Sequence, residues 1–353
     1  MRGGNILNPS ETCYRRTISA IGFVLLIWFF LMQLLGMANS LLLPLLTASF
    51  WDDHEILSTL LNDGIYAAGY LFCFMFPVFF LKKFIRRTGV DYQPMDSMPR
   101  ISPWLPLMAF GTITIVFSAA HLNFALMDLI GYHPEEILIG VQIESADPKL
   151  YELILDFITI CLIPGFCEEF LFRGAILSNC LPFGEGKAIF ISALLFSLMH
   201  QNPSQIFYTF VAGLLLGFIY VKTKSIWNCV IIHILNNFFS YIESIIMVRI
   251  KDQPLALTYA TLIELLLVLL GVISIVILVL RFFAQKDTNF CEGCFGKSLA
   301  PGAEYALVPI SHKRAVKLFL TPSMTVFLAL CVAQIVVLFV TVLIGGSIFE
   351  LLG

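Results

Sequence analysis

Long apolar runs separated by short polar stretches set the pattern of this chain. A membrane helix needs about 20 mostly apolar residues. On that length the runs predict helices at 18–50, 64–81, 104–131, 150–177, 188–200, 205–221, 226–248, 257–283 and 324–344. The first run is too long for one simple crossing. It is expected to tilt, to break near Gly36 or Pro44, or to continue along the membrane surface. It also far exceeds the apolar core of a secretory signal, about 7–15 residues, and reads as a retained membrane helix. The expected fold class is all-α, a polytopic transmembrane helix bundle of about eight or nine membrane spans.

Composition supports the same class. The 353 residues are 59% hydrophobic and 13% charged, and mean hydropathy is +0.89. A soluble domain carries about 25% charged residues, so this surface cannot be that of a water-soluble globule. Disorder is excluded too, because disordered chains lack the aromatic and branched residues abundant here. A net charge of −3 is no nucleic-acid footprint. Most of the nine cysteines sit inside apolar runs and read as small buried hydrophobes. Cys291 and Cys294 alone form a spaced pair in a polar stretch. One such knuckle lacks the second pair of a zinc ribbon, and reads as an ordinary loop turn or a lost ribbon.

Basic residues flank alternate ends of the runs: Arg2, Arg15 and Arg16, then Lys82, Lys83, Arg86 and Arg87, then Lys187, Lys222 and Lys224, then Lys286, Lys297, His312, Lys313, Arg314 and Lys317. The opposite loops carry Asp52, Asp53, Glu55, Glu135, Glu136, Glu144 and Asp147, with Arg249 and Lys251 the basic intrusion. The positive-inside rule then puts the N-terminus in the cytoplasm and, with nine spans, the C-terminus outside.

Chemistry lies in the polar residues inside the apolar runs. In the run 150–177 the chain carries Glu168, Glu169 and Arg173. Each such charge at a helix centre costs roughly 2.5–3.5 kcal/mol on the insertion scale. The three are therefore expected to be paired or to face a wet cavity. Glu169 and Arg173, four apart with Glu first, form the favourable helical pair, which leaves Glu168 as the unmatched carboxylate. A charge cluster near the headgroups, with Arg173 snorkelling, is the plainer alternative. His200 ends the next run, and a lone histidine there also serves as a structural hydrogen bonder. His233 and Asn237 share one helix face. Asn237 alone reads as interhelical glue. Together these residues offer a carboxylate and imidazole able to hold and deprotonate water, and two donors for a developing oxyanion.

The set Glu168-Glu169-x-x-x-Arg173, Phe196-x-x-x-His200 and His233-x-x-x-Asn237 resembles the three motifs of the CPBP family of intramembrane proteases. That family includes the type II CAAX prenyl endopeptidases and bacteriocin-processing or self-immunity proteins. The resemblance covers roughly 150–241. It implies a metal-free glutamic endopeptidase with Glu168 as general base and His200 helping to position the water. His233 and Asn237 would form the oxyanion hole, Glu169 and Arg173 a structural or substrate-orienting pair, and Phe196 would pack one turn below His200. Together with the apolar runs it gives a domain plan: N-terminal membrane helices at 1–149, the catalytic helices at 150–245, a further membrane helix at 246–285, a cytoplasmic loop at 286–322 and a C-terminal membrane helix at 323–353. The polar loop and last helix depart from the family core.

Other chemistries stay open on the residues alone. Glu168, His200 and His233 could bind zinc, since His₂Glu is a catalytic set, although no H-E-x-x-H occurs. A non-catalytic immunity or transport protein also buries charge, but the chain shows one Pro-Gly break, at Pro164-Gly165, and no matching half. No serine elbow and no P-loop are present. The expected partners are the lipid bilayer and a membrane-bound or membrane-adjacent peptide or protein, prenylated or a leader peptide, with no cofactor and no nucleic acid. The expected location is the bacterial cell membrane; the endoplasmic reticulum also fits. The motif depths differ: His233 lies about 10 Å and His200 about 20 Å from the cytoplasmic ends of their runs. They meet only if these helices tilt, start at different depths or are broken.

Overall fold

Apolar runs of this length, given no partner strand, satisfy their own backbone as helices. The computed structural model describes residues 7–42, 55–86, 101–132, 149–250, 253–284 and 310–352. Among these, the helices are α1 (Pro9–Met37), α2 (Glu55–Arg86), α3 (Leu105–Leu129), α4 (Leu150–Phe183), α5 (Glu185–Met199), α6 (Pro203–Thr223), α7 (Ile226–Ile250), α8 (Pro254–Ala284), α9 (His312–Phe319) and α10 (Pro322–Leu352). All but α5 and α9 are long and apolar enough to cross a bilayer, eight candidate spans. The protein is an all-α, multi-pass integral membrane protein.

The ends of the helices differ from the apolar runs for local reasons. α1 begins at Pro9, ahead of the apolar run, because Asn8 caps it. The Asn8 side chain accepts from the Glu11 N–H at 2.8 Å, and the Glu11 carboxylate accepts from the Asn8 N–H at 3.3 Å. Proline at the first helical position completes the start signal. α1 runs past Gly36 unbroken and ends in a π-helical turn over Ala38–Leu42. Pro44 lies outside the described residues, as do Cys291 and Cys294. The run 188–200 forms α5, whose 15 residues span about 22 Å, short of the roughly 30 Å hydrocarbon core. The stretch 286–322, expected as a loop, contains helix α9, which buries Ala315 and Leu318.

The chain divides into two compact units. Unit one comprises Met1–Met95, Phe166–Ile191 and Leu299–Leu330; unit two comprises Asp96–Gly165, Ser192–Ser298 and Cys331–Gly353. In unit one α1 and α2 run antiparallel: Phe23 meets Phe84 edge-on at 5.2 Å and Trp28 meets Phe74 at 5.7 Å. Arg314 donates to Glu11 at 2.7 Å, fastening α9 to the start of α1. Ser323 donates to the Ser19 carbonyl at 2.8 Å, so α10 starts beside the beginning of the apolar part of α1.

In unit two the end of α5 and α6 form an antiparallel hairpin. Ser197 donates to the Ile206 carbonyl at 2.6 Å. A Cβ on Gly213 would lie 2.8 Å from the Ala193 Cα, a contact only glycine permits. Asn123 on α3 donates to the Ser204 carbonyl at 2.5 Å and pins the hairpin turn. The cysteines described behave as expected: Cys73, Cys161, Cys167, Cys180, Cys229 and Cys331 are buried, and Cys13 is intermediate.

Candidate active site

The helix that carries the acidic motif is not uniform. α4 is α-helical over Leu150–Asp156, π-helical over Phe157–Leu162, α-helical again over Ile163–Glu169, π-helical over Phe170–Leu177, and closes in a 3₁₀ turn at Leu181–Phe183. Two π segments thus flank the seven residues that hold Pro164, Gly165, Glu168 and Glu169. Such insertions concentrate at functional positions. Pro164 has no N–H, so the Ile160 carbonyl four residues earlier lacks its α-helical donor. Asn237 Nδ2 on α7 supplies one at 3.2 Å. One turn further, Tyr241 donates to Asp156 at 2.8 Å. At the other end a Cβ on Gly165 would lie 3.3 Å from the Ile234 backbone nitrogen, so the bare backbone of Gly165 lets α7 come close. The Pro-Gly pair expected to break the run instead leaves it helical and docks it to α7.

Asn237 therefore does the interhelical work that its sequence context allowed. Its carboxamide carries two N–H donors, and the Ile160 contact uses one. His233, one turn before it, is buried, 7% exposed. The Phe196 ring lies edge-on to both imidazoles, 5.2 Å from His200 and 5.9 Å from His233. The predicted difference in depth is absorbed by the register of three helices. Ala193 of α5 is level with Gly213 of α6. The Cys229 thiol of α7 donates to the Leu216 carbonyl at 3.3 Å, one turn before His233. His200 itself follows the last residue of α5. Gln201 ends that helix at φ 52°, and Asn202 caps α6 by accepting from the Ser204 N–H at 3.0 Å.

In unit one Arg173 donates to Glu169 Oε1 at 2.8 Å, and both side chains are fully buried. The i,i+4 pair expected from sequence is formed. Glu168 is 4% exposed, and the sequence left it unmatched. It has a partner that sequence reasoning missed: Tyr70 of α2 donates to its Oε1 at 2.6 Å. The signal was the aromatic row Tyr66, Tyr70 and Phe74 on one face of the second span. Tyr70 stacks on Phe74 at 4.6 Å and lies 6.1 Å from the Tyr66 ring.

Glu168, Glu169 and Arg173 belong to unit one, and His200, His233 and Asn237 to unit two; the boundary passes between Gly165 and Phe166. Among the described residues, no three His, Cys, Asp or Glu side chains gather as metal ligands would. An apolar cavity of about 380 Å³ in unit two is lined by α3, α7 and α8, with Glu243 and Glu264 in its wall. None of the motif residues lines it.

Residues 150–239 match the family model described as Rce1-like, type II CAAX prenyl endopeptidase Rce1-like. The match runs from the start of α4 into α7 and spans about a quarter of the chain. It contains Glu168, Glu169, Arg173, Phe196, His200, His233 and Asn237, in agreement with the motif reading. No curated protein and no solved structure matches the chain.

Proposed function

We infer that this protein, Rce1-like over residues 150–239 and so a hydrolase of the CAAX-protease class, is an intramembrane endopeptidase in which Glu168 activates water. Glu168 takes a proton from the water, and the oxygen attacks the scissile carbonyl. His200 helps to orient that water. His233 and Asn237 donate to the oxyanion that forms, an interaction typically worth about 10²–10³ in rate per donor. Collapse of the intermediate breaks the C–N bond, and Glu168 returns the proton to the leaving amine. Glu169 and Arg173 form the buried pair that holds this stretch of α4. A carboxylate that activates water directly needs no metal, and Asn237 is a poor zinc ligand.

The observation that carries this reading is the family match, which contains every motif residue within one segment. The buried Glu169–Arg173 pair supports it by occupying the one cation near Glu168 in sequence. The substrate is a membrane-bound or membrane-adjacent peptide or protein, with a prenylated C-terminus, a leader peptide or a signalling-protein anchor as candidates. We place the N-terminus in the cytoplasm, supported by exposed Arg15 and Arg16 at the start of α1 and Lys82 and Lys83 near the end of α2. We take the membrane to be the bacterial cell membrane, on the resemblance to bacteriocin-processing proteins. The test compares membrane peptides from wild-type and Glu168→Ala cells. A set of full-length membrane peptides should accumulate in the variant. Identical peptide pools would overturn the assignment.

A further inference from the structure

We propose that Tyr70 is a positioning residue for Glu168, fixing the carboxylate so that it meets water in one orientation. The inference rests on Glu168 being the base. Its observation is separate: a hydroxyl from a different span reaches the carboxylate of the acidic motif. The 2.6 Å separation from Tyr70 to Glu168 Oε1 is the length of a hydroxyl donating to a carboxylate oxygen. A carboxylate has about four lone-pair sites on its two oxygens. One bond therefore orients the group without consuming its capacity to accept from water.

The donor is itself held. Tyr70 stacks on Phe74 with the rings 26° apart, and fully buried Phe74 rests edge-on against Trp28 of α1. That clamp leaves the tyrosine little freedom. The acceptor sits on the short α-helical stretch between two π segments, so both ends of the hydrogen bond are set by helix geometry. Residue type matters as well. A lysine or arginine here would add a second cation beside the Glu169–Arg173 pair and bind the base as an ion pair. A serine is too short to cross from one helix axis to the next. Tyrosine gives direction at long reach and brings no charge. General-base catalysis needs the base within about 2.6–3.2 Å of the proton it takes, and loose rotation of a buried carboxylate works against that.

The alternative is that Tyr70 only glues α2 to α4. Tyr70→Phe separates the two, because it deletes one oxygen and keeps the ring on Phe74. The full-length protein would be reconstituted as wild type, Tyr70→Phe and Glu168→Gln, and read three ways: kcat and KM on a cleavable membrane peptide, the thermal transition, and the infrared carboxylate stretch. Hydrogen bonds to charged groups are worth enough that kcat should fall about tenfold or more in Tyr70→Phe with KM unchanged. A carboxylate band absent from Glu168→Gln should be present and shifted in Tyr70→Phe. Placing 3-fluorotyrosine at position 70 restores the hydroxyl and should return kcat toward wild type. Full activity in Glu168→Gln would overturn the reading of Glu168 itself. An inactive Glu168→Gln beside a Tyr70→Phe of wild-type kcat and unshifted band would overturn the role of Tyr70 alone, and a lowered thermal transition with unchanged kcat would make it glue.

Discussion

Replacing Glu169 by glutamine takes an ion-pair partner from a guanidinium in the interior of unit one. Arg173 and Glu169 are both fully buried and 2.8 Å apart. At an effective dielectric constant near 20, two charges at that distance attract by about 6 kcal/mol. Most of this offsets the cost of taking both from water, so the intact pair adds little net stability. Breaking it is different, because the remaining charge keeps its desolvation cost and loses this ion-pair partner. Such single removals typically cost about 3–5 kcal/mol, a large share of the 5–15 kcal/mol that holds a typical protein together. The assay is reversible unfolding of the purified protein in mixed micelles with rising SDS. Glu169→Gln should lose about 3–5 kcal/mol, and its abundance in membranes should fall. The double variant Glu169→Leu with Arg173→Met should recover most of the loss, since an apolar pair leaves no orphan charge. A Glu169→Gln protein within about 1 kcal/mol of wild type would mean that Arg173 does not depend on this partner.

Three further outcomes follow. Asn237→Ala should lower kcat by about 10²–10³ with little change in KM; a rise in KM alone would make Asn237 a packing residue through its bond to the Ile160 carbonyl. Gly213→Val should force α6 away from Ala193 and destabilise the hairpin by about 1–3 kcal/mol, visible as a lower SDS midpoint; an unchanged midpoint would contradict the close approach. A chelator should leave turnover of the purified enzyme unchanged, whereas activity lost to chelator and restored by zinc would give Glu168, His200 and His233 to the metal.

What the sequence made legible was local or repetitive. The spans stood out because each is a long apolar run, and the Glu169–Arg173 pair because it lies within one turn of one helix. Other features depend on contacts that no local pattern encodes. Tyr70 reaches Glu168 across 98 positions of chain. The role of Asn237 depends on a carbonyl freed by Pro164 in a different helix. α9 was hidden because it is short and buries only Ala315 and Leu318, and its docking uses the Glu11–Arg314 pair across most of the chain. The start of α1 was illegible for the opposite reason: the capping signal at Asn8–Glu11 is local, but the residues around it are too polar to extend the apolar run.

The role proposed for the Glu168 carboxylate is to perform the chemistry. Its most direct test is the purified full-length protein in proteoliposomes, given a membrane-anchored peptide ending in a prenylated CAAX sequence or carrying a leader, with product bonds identified by mass spectrometry. The wild type should cleave, and Glu168→Gln, which keeps the shape and removes the base, should fall by about 10²–10⁴-fold while folding normally. A folded Glu168→Gln protein that cleaves the same bond at the wild-type rate would contradict the account.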